Sequence, residues 1–271
     1  MGLTDHSVRI YDVVTKELKS DVINEDSSVL CMCLDTNNRL IIGTVDKTIT
    51  VWDLKEGKKI YNMSKHLSMI TAVALERNYG YIVSTSFDAR VKIWDTTRGQ
   101  MMHSISTHTS VNCLIALEQG GFVYGSYDST IEVWLPHEMP LLHPLGIPYE
   151  LVFSLRGRGH VVRSMCQVGK VLVSCDHNHA LNVWCMEEEQ LIESHFVHTD
   201  SVNGVALVPG RSKTVATVSS DMSICITALN DHFELHEPAP FDYESLWAHP
   251  NPNHKPNPNS DGRILIDVRL L

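Results

Sequence analysis

A short motif recurs along the chain at nearly constant spacing: VRIYD, ITVWD, VKIWD, IEVW, LNVW and ICITA. Each copy follows a turn carrying Asp or Asn and is preceded by another apolar stretch. The anchor residues Tyr11, Trp52, Trp94, Trp134, Trp184 and Thr227 are separated by 41, 42, 40, 50 and 43 residues. Self-similarity at such a period is the signature of a repeat architecture, in which one unit cannot bury its apolar face alone and stacks on its neighbours. The long fourth interval marks an insertion of several residues before Trp184.

Inside one copy the pattern is all β. The stretches ITAVAL, YIVSTS, VKIWD and GQMMHSI alternate or run apolar, with turn residues between them. Four short strands per unit form one propeller blade. No 11-residue window carries helical periodicity, which excludes a parallel α/β reading. The repeats fall at roughly 1–22, 23–63, 64–105, 106–156, 157–195 and 196–236 of a single domain over 1–271. The chain starts at the turn before a third strand, so the first unit lacks its two inner strands. Residues 237–271 offer YESLWAH and RILIDVRLL as closing strands, on either side of a Pro/Asn-rich loop at 249–261. Completing one blade from both ends removes open sheet edges and gives six blades; an incomplete chain would give seven.

These motifs resemble the WD40 (G-beta-like) repeat family over about residues 3–236. The resemblance implies an all-β WD40 propeller whose blades each carry a buried tetrad of His, Ser or Thr, Asp and Trp. The second full repeat matches throughout, with His66, Ser84, Asp88 and Trp94. The first has Asp46 and Trp52, with Ile42 at the hydroxyl position. The third has His108, Asp128 and Trp134, with Tyr124 at that position. The fourth has His160, Ser174 and Trp184, with Asn178 in place of Asp. The fifth has His198, Thr217 and Asp221, with Thr227 in place of Trp. A His, Ser and Asp together invite a hydrolase reading, but these recur once per unit. Buried polar groups need partners, and a satisfied network specifies geometry. The expectation is a structural set, no catalytic residues, no enzyme and no cofactor.

Composition narrows the partners. Twenty-two basic residues against 32 acidic ones leave a net charge of -10, which disfavours nucleic acid, whose binding rests on Lys and Arg meeting phosphates. Seven cysteines without CxxC spacing fit reduced, structural thiols. The N-terminus MGLTDHSVRIYD has no apolar signal core, and no run reaches about 18 apolar residues, so no membrane span is expected. The expected location is the cytoplasm, with the nucleus as the alternative. CDHNH, residues 175–179, lies in one tight turn with no second ligand pair, so no metal is expected.

The expected partners are other proteins or peptide segments. The family's binding positions are the residue ahead of the tetrad Asp and two positions at the start of the innermost strand. Through them the resemblance points to Met69, Phe87, Tyr127, Arg163 and His177 as the contact patch. Aromatics and Arg dominate interface hot spots. A second candidate is the insertion at 137–150, where Leu141, Leu142 and Leu145 sit among prolines between a third and a fourth strand. The function expected is a non-catalytic scaffold or adaptor, alone or as part of a larger signalling protein. The alternative is a substrate receptor of a ubiquitin ligase. Receptors of that kind tend to carry Trp-Asp-any-Arg, and here Trp94-Asp95-Thr96-Thr97-Arg98 places Arg one position late.

Overall fold

The computed structural model describes residues 6–11, 18–35, 37–137, 149–157, 159–208, 213–229 and 235–236. Among them every regular element is a β-strand. A two-stranded sheet comes first, from β1 (Ser7–Tyr11) and β2 (Leu18–Asn24). Five four-stranded antiparallel meanders follow. The first holds β3 (Val29–Leu34), β4 (Arg39–Thr44), β5 (Ile49–Asp53) and β6 (Lys58–Met63). The second holds β7 (Ile70–Leu75), β8 (Ile82–Ser86), β9 (Arg90–Trp94) and β10 (Met101–Ser106). The third runs through β11 (Val111–Ala116), β12 (Phe122–Ser126), β13 (Thr130–Pro136) and β14 (Tyr149–Arg156). The fourth comprises β15 (Val162–Val168), β16 (Val171–Asp176), β17 (Ala180–Cys185) and β18 (Gln190–Phe196). The fifth comprises β19 (Val202–Leu207), β20 (Thr214–Ser219), β21 (Ile224–Leu229) and β22 (Leu235–His236). The chain divides into two compact units, Met1–Val162 and Arg163–Leu271. The expected closing strands at 237–271, and the chain's first turn, lie outside the described residues.

Burial explains the strand sequences. Every residue of β8, β12 and β16 is buried, so these central strands are covered on both faces and read as continuous apolar or small residues. Outer strands are half-solvated, and β6 alternates accordingly, with Lys58, Ile60 and Asn62 outward. The core lies in layers between consecutive sheets. In the first unit Ile41, Ile49 and Val51 pack on Ile70, Val73 and Trp94. A second layer joins Val83, Val91 and Ile93 to Val111, Phe122 and Tyr124. In the second unit Val173, Leu181 and Val183 meet Val202, Val205 and Val215. Each such side chain contributes about 1.5–3 kcal/mol on burial. Gly43 permits the close approach in the first layer, since a Cβ there would lie 2.5 Å from Ile70 Cγ2 and 2.6 Å from Cys31 Sγ.

Polar groups fasten the sheets of the first unit to each other. Glu76, fully buried after β7, accepts the N–H groups of Asn78 (2.9 Å), Tyr79 (2.9 Å) and Gly121 (3.0 Å) and the Tyr149 hydroxyl (2.8 Å). It therefore joins the second sheet to two points of the third. Likewise Arg39 and Tyr61 of the preceding sheet donate to the carbonyls of Thr96 and Thr97.

Two backbone devices repeat. A bulge follows the first residue of the innermost strand, between Val29 and Cys31, Ile70 and Ala72, Val111 and Cys113, and Val202 and Gly204. Bulges of this kind re-aim a side chain; here they act on Leu30, Thr71, Asn112 and Asn203. The turn between the second and third strands always places a non-glycine residue at positive φ: Lys47, Ala89, Ser129, His179 and Met222.

Candidate functional site

Buried polar sets hold the loops that carry the candidate contacts. In the second repeat His66 Nδ1 donates to Asp88 Oδ2 at 2.9 Å, and His66 Nε2 pairs with Ser84 Oγ at 2.8 Å. Ser84 Oγ in turn accepts the Trp94 indole N–H at 2.8 Å. Asp88 Oδ2 also takes the N–H of Leu67 at 2.8 Å. The fifth repeat builds the same relay from His198, Thr217 and Asp221, at 3.0 Å and 2.9 Å. Ser223 is added to it, while Thr227 is buried where an indole would stand.

The other three repeats solve the same problem with different groups. In the first, Glu25 occupies the slot four residues before the innermost strand, the slot His66 and His198 fill in their repeats. Its buried carboxylate accepts Thr50 Oγ1 at 2.5 Å, the Trp52 indole N–H and the Lys59 ammonium at 3.0 Å. Asp46 is exposed. In the third repeat, Glu132 accepts both the Tyr124 hydroxyl and the Trp134 indole N–H, the latter at 3.2 Å. His108 lies three residues before its strand rather than four and is exposed, and Asp128 accepts the N–H of Thr130 at 3.1 Å. Neither joins the Glu132 network, so the four-membered set implied by the resemblance is not assembled there. In the fourth, Ser174 accepts the Trp184 indole at 2.8 Å. Asp176, two residues before Asn178, accepts the N–H groups of Asn178 and Ala180 and the Asn182 amide. His160 is half-buried, with no side-chain hydrogen bond among the described residues.

Sequence reasoning missed Glu25, Glu76, Glu132 and Asp176. One signal was available for Glu25: Ile42 denies the Trp52 indole N–H its usual hydroxyl, and that half-buried donor still needs an acceptor.

These networks fix a pH response. Burial pushes His66 below its ordinary value, against the pull of Asp88. Burial opposes the charge of Asp88 and Asp221, yet hydrogen bonds to their oxygens more than offset it and hold both carboxyls below the usual range. A histidine depressed in the folded chain makes the unfolded chain bind more protons once pH falls through about 6.5, so stability is lost there. The two carboxylates stabilise above their ordinary value near 3.9 and lose this as pH falls through their lower folded values. Urea midpoints are therefore expected to be flat between about pH 7 and 8 and to fall below about 6.5. The slope in the histidine range should be shallower in His66→Gln; an unchanged slope would refute the assignment.

The candidate contacts sit on the loops so held. Phe87 and Tyr127 meet with ring centroids 5.2 Å apart and planes tilted by 49°. Phe87 is 36% exposed, Tyr127 and Met69 are half-buried, and Phe87 N donates to Met69 O at 3.3 Å. Leu67, 75% exposed, belongs to the same loop as Met69 and was not anticipated. The structure thus brings Met69, Phe87 and Tyr127 together. Arg163 and His177 belong to the second unit, where Arg163 is half-buried on β15 and His177 is exposed, 2.8 Å from Ser201 Oγ through Nδ1. Leu141, Leu142 and Leu145 of the insertion lie outside the described residues.

None of the seven cysteines forms a disulfide, and burial pushes Cys31, Cys33, Cys166 and Cys175 up to about 12. Among the described residues no three His, Cys, Asp or Glu side chains are grouped to hold a metal, and no helix is long and apolar enough to cross a membrane.

The WD domain, G-beta repeat family model matches residues 17–53, 57–95 and 99–134. The chain is 28% identical over 250 residues to Cell division control protein 4 of Saccharomyces cerevisiae, covering 91% of this chain and 26% of that protein. It is 31% identical over 87 residues to the Ribosome biogenesis protein BOP1 homolog of Drosophila sechellia, covering 31% of this chain and 11% of that one. The chain thus spans about a quarter or less of the curated relatives it matches. Among solved structures, the RRP9 WD40 repeats superpose with a TM-score of 0.73 at 19% identity, covering 86% of this chain and 74% of that one, a likeness of fold. With repeat spacing, four-stranded sheets and these matches in agreement, the chain carries WD40 repeats and has the all-β fold of WD40 propeller structures, a fold that typically serves as a non-catalytic platform for protein interaction.

Proposed function

We propose that the chain is a scaffold or adaptor that binds partner proteins or peptide segments through its loop-bearing face, with Met69, Phe87 and Tyr127 at the centre of the contact. The observation that carries this reading is the Phe87–Tyr127 ring pair, in which Phe87 is exposed and Tyr127 half-buried. Apolar aromatics held at a surface by backbone hydrogen bonds are the groups that dominate interface energetics. Arg163 and His177 are the contact positions proposed for the second unit. The reading as a non-enzyme is supported by the fully buried His66 side chain, which is committed to Asp88 and Ser84 and presents no base to a substrate. A net charge of -10 favours protein over nucleic-acid partners. Seven cysteines, none in a disulfide, favour a reducing compartment, the cytoplasm or nucleus.

Affinity capture followed by mass spectrometry, with wild type beside Phe87→Ala and Tyr127→Ala, tests the proposal. Each substitution is expected to weaken direct partners by about 30-fold, the scale of an interface hot spot. Retention of every partner at full affinity by both variants would dispose of the patch. Cullin components among the captured proteins would favour the ubiquitin-ligase receptor role instead.

A further inference from the structure

We infer that Ser110 and Ser201 are positioning residues, each tying the loop that enters one sheet to the turn of the sheet before it and so setting the spacing of the residues those turns present. Within a sheet, loop and turn are already joined by backbone. The residue ahead of the tetrad Asp slot donates its N–H to the carbonyl of the residue just before the innermost strand. This bond runs from Val45 to Ser28 (3.1 Å), Phe87 to Met69 (3.3 Å), Tyr127 to Ser110 (3.1 Å) and Ser220 to Ser201 (3.0 Å). Between sheets the link depends on the side chain at that same position. Ser110 Oγ donates to Phe87 O at 3.0 Å, and Ser201 Oγ donates to His177 O at 3.2 Å.

A single serine therefore connects two consecutive turns, by its hydroxyl to one and its carbonyl to the next. The Phe87 and Tyr127 rings at 5.2 Å are the product of the first such link. The corresponding residues Met69 and Val161 have no hydroxyl and cannot repeat it. At His177 the link has a chemical consequence. Ser201 Oγ lies 2.8 Å from Nδ1 as well as 3.2 Å from the carbonyl, so one hydroxyl holds both the ring and the backbone of His177.

The geometric claim stands independently, while its consequence for binding rests on the proposed role of the Phe87–Tyr127 pair. NMR of the full chain tests the geometry. Wild type should show NOEs between the Phe87 and Tyr127 rings. Ser110→Ala should lose them and Ser110→Thr should keep them, with Tm lowered in either by no more than about 4 °C. Imidazole 15N shifts should report a change in the tautomer balance of His177 between wild type and Ser201→Ala, because the substitution removes the hydroxyl 2.8 Å from Nδ1. A partner captured by wild type and lost by Phe87→Ala should bind Ser110→Ala about fivefold more weakly. If Phe87→Ala loses no partner, the proposed binding role fails while the NOE and tautomer readouts still decide the positioning role. Unchanged ring NOEs in Ser110→Ala together with an unchanged His177 tautomer in Ser201→Ala would overturn the inference.

Discussion

Glu76→Ala should lower the stability of the first unit by about 4 kcal/mol, since it strands three backbone N–H groups and one phenol that share a single buried carboxylate. The Gly121 N–H and the Tyr149 hydroxyl are buried, and each would cost about 1–3 kcal/mol if orphaned, while the part-buried N–H groups of Asn78 and Tyr79 can turn to water at a smaller loss. The expected fall in Tm is roughly 10 °C. Glu76→Gln should lie between, because the amide keeps one acceptor oxygen but turns an NH2 group toward N–H donors. Urea denaturation followed by tryptophan fluorescence measures both, and a loss under about 1 kcal/mol for the alanine variant would show that the clasp is dispensable. No recovery is expected from Tyr149→Phe, which removes one donor of the four.

Glu25→Ala should cost about 3 kcal/mol. The carboxylate serves Thr50, the Trp52 indole and Lys59, and the Lys59 ammonium also stands 5.1 Å from the centre of the Trp52 ring. Lys59 is partly exposed and can return to water, which limits the loss. Glu25→His discriminates between a generic slot and a specific solution. Histidine in the second repeat reaches its indole through Ser84, whereas the first repeat offers Ile42 at that point, so Glu25→His should not restore stability. A variant Glu25→His as stable as wild type, read by the same denaturation and by near-UV circular dichroism, would refute this account.

The strands and their grouping were legible because period-two patterning and a recurring anchor depend on local sequence alone. The complete relay of the second repeat was legible for the same reason, since all its members keep their spacing. His108 shows where that logic stops: one residue of offset along the loop carries the imidazole to solvent, and residue type does not record offset. Glu132 was invisible because the phenol of Tyr124 both fills the hydroxyl position and displaces the histidine's role. Glu76 and Tyr149 stand 73 residues apart, and nothing in either neighbourhood names the other. The Phe87–Tyr127 pair was reachable from repeat register, whereas the Ser110 hydroxyl meets Phe87 O only through the packing of two sheets, which local sequence does not record.

The five turn residues at positive φ carry a consequence for how this surface can change. A left-handed backbone costs an L-residue about 1–2 kcal/mol, yet none of Lys47, Ala89, Ser129, His179 and Met222 is glycine. The surrounding strands enforce the shape whatever side chain occupies it, from a buried serine to a methionine 72% exposed. Display and support are thereby uncoupled: the chemistry shown at each tip can be exchanged while the scaffolding beneath it stays as it is.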